Sequence, residues 1–260
     1  MGQVQIDEVS LAFETRRAGR VVALEQLSLE VPEKQFAVIV GPSGCGKSSL
    51  LDLVAGLKDT TAGQCSVDGK VVSRPGADRG MVFQSYSLFP WLTVRKNVEF
   101  GLSLNKVASS ERTERANHYI GSVGLTGFEN AYPSQLSGGM KQRVAIARAL
   151  ANNPEVLLMD EPFGALDSQT RALMQELLLG IWEKEQKTVL FVTHDIDEAL
   201  FLGDVVYVMS ARPGRIIDTI DVNLKRPRHY DIITTPQFIE FKRRIMSSLH
   251  AEVKKAMKLN

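Results

Sequence analysis

The sequence predicts an α/β domain: a parallel sheet with helices, preceded by an antiparallel β-subdomain and interrupted by a smaller inserted helical part. Three observations carry this. An apolar run over residues 35–40 leads into a glycine-rich turn and then, over residues 48–57, into helical spacing, which is the order strand, loop, helix. Apolar runs at 156–159 and 188–193 enclose a stretch of helical length at 167–185, the strand-helix-strand alternation of a parallel sheet. The first thirty or so residues read as two antiparallel strands, 4–13 and 21–31, joined by a polar turn around Arg16 to Arg20.

The remaining elements follow in order. Residues 81–83 suit a short strand, and 93–127 have polar helical character with breaks at Gly121, Gly124 and Gly127. Residues 140–151 are good helix formers with Pro154 just beyond, so a helix ends near Asn152. Runs at 205–209 and 215–222, separated by Ala211-Arg-Pro-Gly, form a hairpin. No internal repeat or low-complexity linker interrupts the chain.

At 260 residues and 44% hydrophobic, the chain can bury a full α/β core as one large domain. A formal net charge of +1 gives no bulk attraction to nucleic acid. The charge is uneven, because residues from Lys225 onward carry 9 Lys and Arg against 3 Asp and Glu. Such a basic tail fits either an anionic phospholipid surface or a solvated helix face. Only Cys45 and Cys65 occur, which argues against a disulfide framework and for a reducing compartment. The N-terminus lacks signal-peptide features, and the longest charge-free stretch, fifteen residues from Gly80 to Val94, is too short and polar to span a bilayer. The expectation is a cytoplasmic protein whose transmembrane partner is another chain.

Three places carry chemistry. The run Gly41-Pro42-Ser43-Gly44-Cys45-Gly46-Lys47-Ser48-Ser49 is a complete phosphate loop in its required context. Its glycines let successive N–H groups point inward at phosphates, Lys47 bridges the β and γ phosphates, and Ser48 ligates Mg²⁺. Asp160 ends the strand Val156-Leu-Leu-Met159 at the carboxyl edge of the sheet, where it would hold Mg²⁺ through water. Ser137-Gly138-Gly139 repeats the anion-binding logic at a helix start, with exposed N–H groups and a hydroxyl. The thiol of Cys45, lying in the loop, is expected to react with a bulky reagent and to be protected by ATP.

Taken together, the loop, Leu136-Ser137-Gly138-Gly139-Met140, Asp160-Glu161 and His194, in that order, resemble the ATP-binding cassette of ABC transporters. The likeness runs from Val4 to about Arg244. It implies one cassette over 1–260, with a helical subdomain at about 88–152 and a basic tail at about 223–260. It further implies that Glu161 polarises the attacking water, that His194 contacts the γ phosphate, that Gln84 joins Mg²⁺ coordination, and that Phe13 stacks on adenine. Asp167 would belong to a loop crossing the interface of a head-to-tail dimer, in which each chain's signature covers the ATP held by the other. Met140 departs from the commoner Gln and should alter a peripheral contact. Phe89 and Trp91, in the apolar stretch after Gln84, would sit at or beneath a groove receiving a short helix of a membrane permease.

Several stretches look closest to the nitrate, sulfonate and taurine importers: 75–84, 89–93, 160–167, 211–216, Arg226-Pro-Arg and Pro236-Gln-Phe. The implied assembly is a pair of ATPase subunits on permease subunits at the cytoplasmic face of a bacterial inner membrane, served indirectly by a periplasmic substrate-binding protein. With the chain stopping near Asn260, no added regulatory domain is expected. Chromosome and DNA-repair ATPases separate the two phosphate grips by a long coiled coil, whereas ninety positions separate Lys47 from Ser137 here with no sustained heptad. Ribosome-associated proteins normally hold two cassettes, and a P-loop kinase would leave the signature and His194 unexplained.

Overall fold

Alternating apolar residues build the first two strands, β1 (Val4–Thr15) and β2 (Gly19–Val31), which pair antiparallel. Their buried sets, Val4, Ile6, Val9, Leu11 and Leu24, Leu27, Leu29, Val31, each change parity once, at Glu8 and Gln26 with φ 47° and 45°. Bulges there keep both halves of each strand facing one core. The displaced amides are satisfied across the pair, Glu8 N donating to Ser28 Oγ at 2.9 Å and Gln26 N to Ser10 Oγ at 3.0 Å. The turn expected around Arg16 lies outside the described residues of this computed structural model, which are 1–15 and 19–258.

Strand β3 (Phe36–Val40) is buried throughout and runs into the glycine loop, from which α1 (Lys47–Ala55) emerges. Helix α1 ends at Gly56, φ 73°, where a Cβ would lie 2.3 Å from the Arg74 backbone. Two strands the sequence reading lacked, β4 (Ala62–Val67) and β5 (Lys70–Val71), complete a four-stranded antiparallel sheet of order β2-β1-β4-β5.

Residues 77–185 form a compact unit of their own, the rest of the chain forming the other. Within it, β6 (Arg79–Val82) is followed by α2 (Val94–Leu104), α3 (Ser109–Ser122), α4 (Gly138–Ala151), β7 (Val156–Asp160) and α5 (Ser168–Glu185). Helices α2, α3 and α4 pack on one another through Val98, Leu102, Ala116, Ile120, Val144 and Leu150. Gly121 does not break α3 as expected: a side chain there would meet only Thr126 Oγ1 at 3.7 Å, and the chain turns at Gly124, φ 68°. Asn97, fully buried in α2, accepts from Phe89 N at 2.9 Å and shares its amide protons among the carbonyls of Phe89, Leu92 and Thr93. One asparagine thereby fixes the apolar stretch.

In the first unit the chain continues through β8 (Thr188–Thr193), α6 (Ile196–Leu202), β9 (Val205–Met209), β10 (Ile216–Asp221) and α7 (Pro236–Lys258). Strand β3 lies between β8 and β9, parallel to both, and β10 pairs antiparallel with β9 as the hairpin reading expected. Flanked on both edges, β3 has no solvated side, which is why every residue of it is apolar. Helix α6 was not anticipated; Asp195 caps it, accepting from the amides of Asp197 and Glu198. The basic tail forms α7, anchored by buried Phe238 and Ile245 and packed on α6, β9 and β10. Two cations of α7 pair with carboxylates, Lys242 with Asp197 and Arg244 with Asp218 at 2.6 Å.

Candidate active site

Parallel pairing sets the first cluster. Val40 of β3 is in register with Thr193 of β8, so Gly41 and His194 leave the same sheet edge on neighbouring strands, the edge where ligands bind in open α/β sheets. His194 is exposed there, followed by the cap of α6. The loop between β3 and α1 is a constrained shell. Gly44 and Gly46 have φ of 76° and 109°, conformations that suit residues without Cβ. A Cβ on Gly46 would also stand 2.7 Å from Leu24 Cδ2, and one on Gly41 3.0 Å from Met209 O.

Lys47 is 5% exposed, and its ammonium donates to the carbonyls of Gly41 at 2.9 Å and Pro42 at 3.1 Å. The cation is thus held inside the loop's own curve. Ser43 and Ser48 are exposed, Pro42 and Ser49 half-buried. Helix α1 contributes its first amides, which have no intrahelical acceptor, and the positive end of its dipole. A buried ammonium, a glycine cradle and a helix N-terminus together fit a polyphosphate chain.

Cys45 corrects the thiol expectation. Its side chain is 1% exposed, with Sγ turned toward Gly41, and burial pushes its pKa up despite Lys47 and Arg212 nearby. The residue lies in the loop, but its thiol is packed away from reagents. Phe13, in contrast, is not core. It is 36% exposed, with Lys58 Nζ over the ring at 5.4 Å from its centroid, a cation held against an aromatic face. Lys58 escaped the sequence reading, having no motif around it.

A second cluster lies within residues 77–185. Here Val82 of β6 is in register with Met159 of β7, so Asp160 and Gln84 follow one strand end each, side by side. Asp160 and Glu161 are half-buried and Gln84 is exposed. Glu161 has a left-handed backbone, φ 41°, and its carbonyl accepts from Gly164 N at 3.1 Å. Such strain in a non-glycine residue concentrates at functional sites.

Ser137 is the N-cap of α4, its hydroxyl accepting from Met140 N at 3.3 Å. The glycines after it have close side-chain neighbours and no positive φ. A Cβ on Gly138 would be 2.9 Å from Tyr86 Oη, and one on Gly139 2.9 Å from Thr170 Cγ2. Tyr86 is a contact the sequence gave no sign of. Asp167 is exposed and accepts from Thr170 N at 3.0 Å, a bond that holds its carboxyl below the ordinary range. Phe89 stacks on Phe100 at 4.4 Å and Trp91 at 5.7 Å, beneath the Arg148 guanidinium at 5.9 Å, while Trp91 is 71% exposed.

A complete phosphate loop after β3, with a histidine at the end of the neighbouring parallel strand, is the pattern of a P-loop ATPase. The ABC transporter family model matches residues 24–164, and the chain belongs to that family. It is 53% identical to an uncharacterized ABC transporter ATP-binding protein of Methanocaldococcus jannaschii, over 98% of this chain and 94% of that one. It is 50% identical to the nitrate import ATP-binding protein of Synechocystis, over 95% and 94%. Identity is 49% to the taurine import ATP-binding protein of Rhizobium johnstonii, over 95% and 97%. Among solved structures, a dimeric ATP-binding cassette in a post-hydrolysis state, bound to ADP and Pi, superposes with a TM-score of 0.75 at 34% identity, over 85% of this chain and all of that one. The fold is accordingly that of an ABC ATPase, and the chain binds and hydrolyses ATP. No helix among the described residues is long and apolar enough to cross a membrane.

Proposed function

We propose that this chain is the ATPase subunit of an importer of small anions, with taurine or another sulfonate as the leading cargo and nitrate as the neighbouring one. The observation that carries the reading is near-half identity, over almost the full length, to import ATP-binding proteins for nitrate and for taurine. The subunit acts as a head-to-tail pair at the cytoplasmic face of the membrane, bound to permease subunits and served indirectly by an external substrate-binding protein. The dimeric state of the ADP-bound cassette supports the pairing.

Within the pair, each residue has a task. Lys47 and the loop amides neutralise phosphate oxygens, Phe13 stacks on the base, Glu161 orients and polarises the attacking water, and His194 holds the γ-phosphate end. Ser48, Gln84 and Asp160 would hold Mg²⁺, which supplies charge neutralisation when bound. A hydroxyl, an amide and one carboxylate suit an ion that keeps waters and phosphate ligands better than they suit an all-protein cage. Ser137, Gly138, Gly139 and Asp167 serve the partner's nucleotide. The exposed Trp91 above half-buried Phe89 offers an aromatic floor for a permease helix.

The test is affinity purification of the tagged chain from gently solubilised membranes of its host, followed by ATPase assays with candidate binding proteins. Recovery of a multi-span permease, with ATPase stimulated by a sulfonate-loaded binding protein, is expected. Recovery with ribosomes or DNA and no permease would overturn the transport reading while leaving the ATPase intact.

A further inference from the structure

The hairpin turn between β9 and β10 touches the phosphate loop directly. Arg212 donates from both Nη2, at 2.9 Å, and Nε, at 3.2 Å, to the carbonyl of Gly44. Two residues on, Gly214 lies so close that a Cβ would stand 2.4 Å from the carbonyl oxygen of Cys45. The turn is itself held fast. Gly214 N donates to Ala23 O at 2.8 Å, Glu25 N donates to Gly214 O at 3.1 Å, Ser210 Oγ accepts from Arg215 N at 2.9 Å, and Arg215 pairs with Glu25 at 2.5 Å. A guanidinium mounted on a turn fixed to β2 loses little freedom when it grips its acceptor.

The gripped peptide is the one whose orientation matters. Gly44 sits at φ 76°, and Cys45 N lies 3.4 Å from Pro42 O, the geometry of a turn with glycine at its third position. Peptides next to such a glycine are the freest in the loop to rotate. Because the carbonyl of Gly44 and the amide of Cys45 point to opposite sides of one rigid plane, holding the carbonyl outward on Arg212 keeps the Cys45 N–H directed into the loop, where it donates to Pro42 O at 3.4 Å and closes the turn.

We infer that Arg212 is a positioning residue for nucleotide binding, an external clamp that fixes the Gly44–Cys45 peptide so that the loop meets phosphate already formed. The inference rests on the phosphate-loop reading above. It predicts a loss in affinity more than in the chemical step, because the clamp serves bound substrate and transition state alike.

The test uses the purified full chain with Mg-ATP, reading equilibrium binding and the kcat against KM split. R212A should raise the Kd and KM for ATP by roughly three- to tenfold, the scale of an exposed charge-assisted contact, with kcat within about twofold and melting without nucleotide unchanged. R212K should recover part of the affinity, and R212Q, which keeps the bulk, should behave as R212A and replaces it if that variant melts early. R244A, which removes a cation of α7 paired with Asp218, should bind ATP as the unaltered chain does. Unchanged affinity in R212A and R212Q, or an equal loss in R244A, would overturn the clamp. K47A separates the two readings: normal ATP binding by K47A would sink the phosphate-loop reading, whereas failed binding by K47A beside normal binding by R212A and R212Q would sink the clamp alone.

Discussion

The two turns proposed to grip phosphate are built in opposite ways. The loop after β3 is enclosed: Cys45 is 1% exposed, Lys47 5%, and residues of β2, β9 and the 211–214 turn press on its glycines. The signature turn before α4 presents an exposed Ser137, whose hydroxyl accepts from Met140 N and whose carbonyl accepts from Lys141 N, both within its own helix. The first is determined by its surroundings before any ligand arrives. The second is steadied from behind by Tyr86 and Thr170 and faces outward. The contrast suits a division of labour in which one grip serves the chain's own nucleotide and the other is offered to a second copy.

Substitutions can break or sharpen that contrast. The largest effect is expected from E161Q, which keeps ATP but lowers turnover by about 10²- to 10⁴-fold, the range of a lost general base, and traps the pair; single-turnover assays and gel filtration with ATP read both. Next is G46A. A Cβ 2.7 Å from Leu24 at φ 109° should cost about 1–3 kcal/mol in strain and lower both Tm and ATP affinity. S137A should cost about 1 kcal/mol through the lost cap, leave ATP binding by the isolated chain unchanged, and depress turnover of the assembled pair. An equal loss of binding in G46A and S137A would erase the distinction between the grips. The smallest effect concerns Cys45: burial raises its pKa, so near pH 7 the thiol stays protonated and should react with a bulky reagent far more slowly in the native than in the unfolded chain. Fast modification of the native form would mean that the loop opens readily.

What the sequence made legible was what local pattern dictates. Strand β3 and the loop after it were readable because a fully buried strand is a plain apolar run and the loop carries its glycines at fixed spacing. Strands β8 and β9 were found at their observed bounds for the same reason. Strand β4 was missed because residues 62–64 are exposed and polar or small, and its partners come from β1, far upstream. Helix α6 has only seven residues, too few for a periodic signal. Arg212 had only its place in the importer-like stretch 211–216. Its aim at Gly44 spans 168 positions and exists only once the hairpin folds. Buried Cys45 shows the converse limit, since a motif fixes the path of the backbone through a loop without fixing which way the side chain at one of its unspecified positions packs.

The most direct test of the central claim, that the enclosed loop of one chain works with the outward signature of another, is to mix two inactive variants. K47A removes the first grip and a bulky S137F the second, and neither alone should hydrolyse ATP. Acting in trans, mixed pairs contain one intact composite site, and the mixture should regain about a quarter of the unaltered activity, from half the pairs with one of two sites working. A mixture as inactive as its components would contradict the account.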